Sequence, residues 1–358
     1  MIPNYTAVHN KFKLNNYHYT HDTLKEVAYS FVKEGDVYEK QLGDFLLDWL
    51  DSNDTIKVKT SGSTGRPKRI KLSKQAMVDS ALATGDYFKL KPGDSSLLCL
   101  PTNYIAGKMM VVRAIILGLS LDLVSPSSNP LEFVNRKYHF AAMVPMQLRN
   151  SLSKLSIIKT LIVGGAKVSD DLVKEIQTST SSIYETYGMT ETVTHIAVKK
   201  LNNLKTNSSK LAFEVLLNVD ISQDDRNCLV INAPYLNNSP IITNDVVKLY
   251  SKTSFELLGR FDNVINSGGI KIHPEQVEGH LSSFFDVDFF IASRENEALG
   301  EELILVIEGK EQALPKGIFK TLQKHEIPKS LLFIKTFKRT SSGKINRVQT
   351  LESLKKVS

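Results

Sequence analysis

The sequence lacks the features that mark several large classes of protein. Its 358 residues include no apolar run long enough to cross a membrane, and the N-terminus, MIPNYTAVHNKFKLNNYHY, has no charged head followed by an apolar stretch. Only two cysteines are present, Cys99 and Cys228. They lie far apart in apolar or strand-like contexts, which favours reduced core thiols over a disulfide or a metal site. These absences predict a globular cytoplasmic protein that does not insert into a membrane.

Charge of one sign is not concentrated anywhere in the chain. Lys and Arg number 45 against 38 Asp and Glu, a net charge of +7, but the lysines occur as scattered pairs such as Lys199-Lys200. There is no dense basic block and no interleaved aromatic platform, so the pattern argues against a nucleic-acid partner. A positive field suits polyanionic small substrates, and we expect those to be the partners.

The order of apolar patterns predicts an α/β protein of two domains. Residues 1–50 repeat apolar residues at helical spacing, residues 74–178 alternate helices with short apolar strands, and residues 213–258 indicate antiparallel strands. A small α+β pattern follows GRFDN. We also predict helices over NPLEFVNRKY (129–138) and LPKGIFKTLQKH (314–325). The expected domains are residues 1–261 and 262–358, with a short hinge near Asp262.

The stretch TSGSTGRPK, residues 60–68, has the chemistry of an anion site, because glycines, hydroxyls and two cations converge in nine residues. It does not follow the Walker pattern, since Pro67 precedes Lys68 and Arg69 follows it. The plain alternative is a polar surface turn, which most Ser- and Gly-rich segments are.

Four further stretches carry candidate chemistry. SSIYETYGMTETVTH offers Tyr187 as a flat face for a base, Thr190 as a phosphate contact and Glu191 as a hard oxygen ligand for Mg²⁺. ITNDVVKL places Asp245 between a turn and a strand, where a carboxylate can accept hydrogen bonds from ribose hydroxyls. Without the other stretches, the first would be interpreted as a helix cap and the second as a local hydrogen-bond acceptor in a turn.

The other two stretches lie nearer the C-terminus. GRFDNVINSGGIKIHPEQVE contains Arg260, which can pair with phosphate or ribose, and a Gly-Gly pair that permits close backbone approach. KRTSSGKINR is a small-residue turn that presents Lys344. Alone, it is a solvated basic loop.

All five stretches occur in one chain in one order, and in that order the sequence resembles the acyl-adenylate-forming enzymes, which include acyl-CoA synthetases, luciferases and peptide-synthetase adenylation domains. The resemblance runs from about Thr60 to Arg347. It implies ATP, Mg²⁺ and CoA as cofactor and co-substrates, and a large N-terminal domain of mixed sheets and helices with a small mobile C-terminal α+β domain. Because the phosphate loop begins already at Thr60, we expect the usual N-terminal subdomain to be reduced.

The resemblance also assigns roles to residues. The loop, comprising Thr60, Ser61, Gly62, Ser63, Thr64, Gly65 and Lys68, closes over the β- and γ-phosphates of ATP. Thr190 touches the α-phosphate and Glu191 holds Mg²⁺, while Gly164, Gly165 and Tyr187 frame adenine, Asp245 binds ribose and Arg260 binds ribose or phosphate. Lys344 bridges the acyl carboxylate and the α-phosphate, Asp262 is the hinge, and Gly269 and Lys271 face CoA.

The acid is indicated by a narrower resemblance. LPTNYIAGKMMVVRAI is similar to the LPLFHxSGxxxxxR region of o-succinylbenzoate-CoA ligases of menaquinone biosynthesis, with Asn103-Tyr104 where Phe-His is common. Tyr104, Lys108 and Arg113 are therefore candidate contacts for the acid, and a buried cation suits its second carboxylate. The alternatives are surface or interface cations, an aryl- or medium-chain acyl-CoA ligase, and a catalytically silent nucleotide-binding relative. A carrier-protein thiol in place of CoA and a homodimer are also compatible with the sequence.

Overall fold

The N-terminal segment forms two short strands and a helical hairpin. In a computed structural model, residues 2–59, 69–204, 212–236, 239–340 and 345–355 are described. The first elements are β1 (Lys13–Leu14), β2 (Tyr17–His18), α1 (His21–Glu34) and α2 (Val37–Trp49). The Thr20 side chain caps α1, and α2 lies so close to α1 that a Cβ on Gly43 would be 2.6 Å from the Ala28 carbonyl oxygen. The two helices predicted in residues 1–50 are confirmed.

Alternating helices and strands follow and build the parallel part of the main sheet. The elements are β3 (Thr55–Lys59), β4 (Arg69–Ser73), α3 (Lys74–Phe88), β5 (Ser95–Leu98), α4 (Ile105–Leu117), β6 (Ser120–Leu123), β7 (Tyr138–Met143), α5 (Pro145–Asn150), β8 (Ile158–Val163), α6 (Asp170–Glu175), β9 (Ser182–Gly188) and β10 (His195–Lys200). Strands β9, β8, β7, β5, β6 and β1 are parallel neighbours in that order, which confirms the α/β expectation.

Antiparallel strands extend the same sheet, and a smaller sheet follows. The extension contains β11 (Phe213–Val215), β12 (Asp220–Gln223), β13 (Cys228–Asn232), β14 (Ile241–Ser251) and β15 (Ser254–Arg260). The later elements are β16 (Ile265–Ser267), β17 (Ile270–Ile272), α7 (Pro274–Leu281), β18 (Phe289–Asn296), β19 (Gly300–Glu308), β20 (Ser330–Ile334) and α8 (Arg347–Lys355). In the described residues the large sheet has the order β12-β13-β14-β15-β11-β10-β9-β8-β7-β5-β6-β1-β2, and β16 to β20 form a separate sheet.

Successive residues of the central strands point into two different cores. Leu98 on β5 belongs to the core formed with α1 to α4, whereas its neighbour Leu97 belongs to the core on the face covered by α5 and α6. Both faces of the parallel sheet are therefore covered. Cys99 and Cys228 are buried free thiols, and burial raises the pKa of Cys99 to about 12. Within the described ranges, no helix has both the length and the apolar composition needed to cross a membrane.

Two predicted helices are wrong. Residues 129–137 form turns and irregular chain, and β7 begins at Tyr138. Lys154 Nζ, in place of helical amides, donates to the carbonyl oxygens of Glu132 and Val134 at 2.6 and 3.3 Å. Residues 314–325 form successive turns with hydrogen bonds between residues three apart. There Gly317 has φ +79°, a left-handed conformation that interrupts a helix even though Ile318 and Leu322 have its apolar spacing.

Candidate adenylation site

The clearest constellation of the site joins three predicted residues from three strands. The Tyr187 hydroxyl on β9 donates to Asp245 Oδ2 at 2.6 Å, and Arg260 Nη1 donates to Asp245 Oδ1 at 3.0 Å. Pairing of β14 with β15 sets Asp245 opposite Arg260. The Tyr187 ring packs against Phe213 and Phe255, and burial, followed by the Asp245 charge, raises the pKa of its hydroxyl. The sequence had suggested that Asp245 precedes a strand, but Asp245 lies within β14.

Two glycines follow the carboxyl end of β8. Gly164 N donates to the Met143 carbonyl oxygen at 3.1 Å, and Gly165 has φ +87°. A Cβ on Gly164 would lie 2.5 Å from Thr186 Oγ1, so only glycine permits this approach between neighbouring strand ends. Bare backbone thus lies at the carboxyl edge of the parallel strands, where open α/β sheets bind ligands.

Between β9 and β10 the chain makes a tight turn that presents Glu191. Thr190–Thr192 is a single 3₁₀ turn in which Glu191 is exposed and Thr190 partly exposed. The Glu191 carboxylate makes no hydrogen bond or ion pair with any residue the structure describes, so it is available to a hard cation. Among those residues no group of three or more His, Cys, Asp or Glu could hold a metal. The arrangement fits a Mg²⁺ that takes most of its ligands from a bound phosphate compound.

The two cations of α4 have different surroundings. Arg113 is 1% exposed: its Nε donates to Thr84 Oγ1 at 3.3 Å and its Nη2 to Thr194 Oγ1 at 3.0 Å. No acidic residue in the described chain is paired with it, and burial lowers its pKa to about 9. Lys108 Nζ instead lies 4.4 Å from the centre of the Phe45 ring on α2. The helix therefore directs only Arg113 toward the β9–β10 turn.

Tyr104 and His195 lie near these two cations. Tyr104, the residue before α4, is 46% exposed. His195 is buried beside Arg113, whose Nη2 lies 3.5 Å from His195 Nδ1. Burial and the Arg113 charge together hold the pKa of His195 well below its usual value. The His195 ring is therefore neutral at neutral pH, and His195 Nδ1 accepts from Arg113.

The predicted hinge and the face near Gly269 lie beyond β15. Asp262 receives hydrogen bonds from Asn244 Nδ2 at 3.2 Å and lies 3.5 Å from Arg260 Nη2. Helix α7 docks on β15 through Gln276, whose Nε2 donates to the Leu257 and Leu258 carbonyl oxygens. In the β16–β17 hairpin, Gly269 has φ +78° and Lys271 is exposed.

Eight of the predicted residues are not among those the structure describes. Thr60, Ser61, Gly62, Ser63, Thr64, Gly65, Lys68 and Lys344 lie outside the described residues. On either side of the first group, β3 and β4 pair antiparallel, and Ser73 caps α3 directly after β4.

Sequence patterns did not indicate two features of the site. Val193 has φ +63° and ψ −56°, and Thr194 N donates to the Thr192 carbonyl oxygen at 2.6 Å, which makes a γ-turn of the rare, strained kind. The only sequence signal is a run of β-branched residues, which usually indicates a strand. The second feature is the buried pair of Lys199 Nζ and Glu185 Oε2 at 2.5 Å, in which Glu185 also accepts from Val168 N.

Comparison with known proteins identifies the family and the fold. A family model described as AMP-binding enzyme matches residues 28–222. A crystal structure of an acyl-CoA synthetase (AMP-forming)/AMP-acid ligase II-like protein from Dyadobacter fermentans is 33% identical, covers 92% of this chain and 98% of that one, and has a TM-score of 0.62.

Two further relatives carry a more specific name. A 2-succinylbenzoate–CoA ligase of Lactococcus lactis is 23% identical over 84% of this chain and 71% of that protein. The Bacillus subtilis O-succinylbenzoate Coenzyme A Synthetase, solved with ATP and magnesium ion, shares the fold at a TM-score of 0.71, with 22% identity over 82% of this chain and 69% of that one. The family match and its relatives together define an acyl-adenylate-forming ligase. The chain belongs to the AMP-binding enzyme family.

Proposed function

We propose that this chain, an AMP-forming acid–CoA ligase, acts on o-succinylbenzoate in menaquinone biosynthesis. In the first half-reaction the acid carboxylate attacks the α-phosphorus of ATP, which forms the acyl-adenylate and releases pyrophosphate. In the second, the CoA thiol attacks the acyl carbon and releases AMP. The curated relatives named 2-succinylbenzoate–CoA ligase support this acid at 23–25% identity. An aryl- or medium-chain acyl-CoA ligase is the alternative.

The nucleotide side of the proposal rests on the Tyr187–Asp245–Arg260 constellation. Asp245 holds the ribose hydroxyls, because a carboxylate oxygen has lone pairs left after the bonds from Tyr187 and Arg260. Arg260 adds charge for ribose or phosphate, and Gly164, Gly165 and Tyr187 frame the base. Tyr187 and Arg260 also fix the carboxylate in one orientation before ATP binds, which reduces the entropy that binding costs.

The phosphate side combines the β9–β10 turn with residues outside the described ranges. Thr190 contacts the α-phosphate and Glu191 supplies the protein ligand for Mg²⁺, which offsets the charge of two approaching anions. The loop from Thr60 to Lys68 closes over the departing phosphates. Lys344 bridges the carboxylate and α-phosphate, where a cation stabilises the charge that develops in the transition state.

The second half-reaction uses the C-terminal domain, residues 262–358. After adenylation this domain turns about Asp262 and takes Lys344 away, so that the face with Gly269 and Lys271 meets CoA. Two half-reactions then share one acyl site.

The choice of acid rests on the surroundings of Arg113. A buried guanidinium without a carboxylate partner among the described residues is costly unless a ligand supplies the anion. o-Succinylbenzoate has two carboxylates, one that reacts and one that needs such a partner, whereas benzoate and octanoate have only the reacting group. Tyr104 and Lys108 stand at the start of the same helix as further candidate contacts.

A substrate panel tests the acid. The purified protein is incubated with ATP, Mg²⁺, CoA and either o-succinylbenzoate, benzoate or octanoate, and thioester and pyrophosphate are measured. We expect o-succinylbenzoate to have the highest kcat/KM, and Arg113→Met to remove that preference. Equal rates with octanoate would reject the acid, and formation of adenylate without thioester would reject CoA as the thiol.

A lysine variant tests the order of steps. Lys344→Ala should abolish pyrophosphate release yet retain thioester formation from supplied acyl-adenylate and CoA. If both half-reactions survive, the role of Lys344 is wrong.

A further inference from the structure

The turn from Met189 to Thr194 has a strained backbone conformation close to the residues proposed to contact phosphate and Mg²⁺. Val193, a β-branched residue, has φ +63°, a region that such side chains rarely adopt. A residue held there costs about 1–3 kcal/mol and persists only where its surroundings determine it. Glu191 is exposed only two residues away, on the same turn.

Three contacts hold the strained turn. The Thr192 hydroxyl accepts from Met189 N at 2.9 Å and faces the carbonyl oxygens of Met189 and Thr194. Val193 is 2% exposed and belongs to the hydrophobic core that also contains residues of α3 and α4. The third contact comes from outside the turn, because Arg113 Nη2 on α4 donates to Thr194 Oγ1. That bond ties the turn to a helix that is itself fully buried in its middle.

We infer that Thr194 and Val193 are positioning residues: Arg113, through the Thr194 hydroxyl, holds the γ-turn at Val193 and thereby fixes Thr190 and Glu191 against the reacting phosphate. The inference rests on the proposed roles of Thr190 and Glu191. A bond from a charged donor is strong enough to oppose the strain of one residue. A shift of about 1 Å in a catalytic group can cost on the order of a hundredfold in rate.

The test uses Thr194→Val, Thr194→Ser and a matched control, Thr84→Val. Thr84 Oγ1 accepts from the same guanidinium, through Nε, but belongs to α3 and not to the turn. Both valine variants therefore remove one partner of Arg113, and only one removes the restraint on the turn. Pyrophosphate release is measured per folded molecule, against the concentrations of ATP, acid and Mg²⁺, at a temperature where melting curves show each variant folded.

We expect Thr194→Val to lower the kcat of adenylation by roughly tenfold or more and to raise the Mg²⁺ requirement, with KM for the acid changed by less than about twofold. Thr194→Ser should restore the rate, and Thr84→Val should lower stability without changing kcat by more than about twofold. If Thr194→Val does not fold, Thr194→Cys replaces it, since a thiol is a weak hydrogen-bonding group of similar size.

Four results overturn the inference. Equal kcat losses in Thr194→Val and Thr84→Val, or no rescue by serine, show a merely structural role. Glu191→Gln is assayed in parallel: if it leaves adenylation unchanged, the proposed role of Glu191 falls and the inference falls with it. If Glu191→Gln abolishes adenylation and Thr194→Val does not affect it, only the inference is rejected.

Discussion

Tyr187→Phe separates the two contributions of a buried tyrosine, its ring and its hydroxyl. The ring contacts with Phe213 and Phe255, at centroid distances of 5.8 and 5.2 Å, are kept because phenylalanine has the same shape. The 2.6 Å bond to Asp245 is lost. Asp245 keeps its bond from Arg260 but loses the donor that fixes its second oxygen.

The expected magnitude follows from that single bond. A hydrogen bond to a charged group contributes about 1.5–3 kcal/mol, so the free energy of unfolding should fall by about 2 kcal/mol. If orientation of Asp245 is what binds ribose, KM for ATP should rise by roughly tenfold, which corresponds to about 1.4 kcal/mol of binding free energy. The value of kcat should change much less, because a contact to ribose would be equally strong in the ground state and the transition state. Urea unfolding and initial-rate assays at varied ATP measure the two effects.

The chain contains its own control, a second trio of the same chemistry. Tyr138 donates to Asp122 Oδ2 at 2.8 Å, and Arg136 Nη1 donates to the same oxygen at 2.8 Å. Tyr138→Phe should therefore lower stability by about 1 kcal/mol, less than at Tyr187 because Arg136 is half exposed, and leave KM for ATP unchanged. The reasoning is refuted if both variants raise KM for ATP equally, or if Tyr187→Phe loses stability while KM stays within about twofold.

Three further changes test other parts of the structure. The folded state lowers the pKa of His195, so below about pH 6.5 the unfolded chain binds one more proton than the folded chain. The free energy of unfolding should therefore fall as pH decreases, by up to about 1.4 kcal/mol per pH unit. His195→Gln should remove that slope, measured by urea unfolding at several pH values. Gly43→Ala places a Cβ 2.6 Å from the Ala28 carbonyl oxygen and should cost about 1–3 kcal/mol of stability, measured by thermal unfolding. Gly259→Ala places a Cβ 2.3 Å from Glu275 Oε2, so the Glu275 side chain should move and the docking of α7 should loosen. Hydrogen exchange should then become faster in α7, with little change in melting temperature.

Controls and contrary results complete these tests. Lys40→Ala, on the exposed face of α2, should leave stability within about 0.5 kcal/mol, and an equal loss there would remove the steric explanation for Gly43. A His195→Gln protein that keeps the acid slope assigns that slope to other groups. Unchanged exchange in α7 of Gly259→Ala would mean that Glu275 does not hold the helix.

Much of the fold could be predicted because its signals are local. Alternation of apolar strands with helices gave the parallel sheet, and the short strands after Phe213 gave the antiparallel extension. Ser169, directly before α6, caps that helix by accepting from Leu172 N, a role that serine commonly has at this position. Each of these elements depends on neighbours within a few residues.

The helix predicted over residues 314–325 is interrupted locally at Gly317, but the other failures depend on partners distant in sequence. Apolar spacing in residues 129–138 is that of a helix, but Lys154, twenty-two residues after Glu132, satisfies the backbone carbonyls instead. The direction of Arg113 was equally hidden, because its partner Thr194 lies 81 residues further along the chain. Periodicity placed Arg113 on a helix and could not say which neighbour the guanidinium meets.

The two Tyr–Asp–Arg trios show why chemistry alone does not locate a site. In both, a buried tyrosine hydroxyl and a guanidinium bind one carboxylate, and burial raises the tyrosine pKa in both. Tyr138 is the first residue of β7, at the amino edge of the parallel strands, whereas Tyr187 is the next-to-last residue of β9, at the carboxyl edge. Ligands of open α/β sheets bind at the carboxyl edge, where the Gly164–Gly165 backbone and the Glu191 turn also lie. The position along the strand, rather than the set of side chains, therefore distinguishes the carboxylate proposed to bind ribose from a structural one. A sequence reveals that position only once its strands are ordered into a sheet.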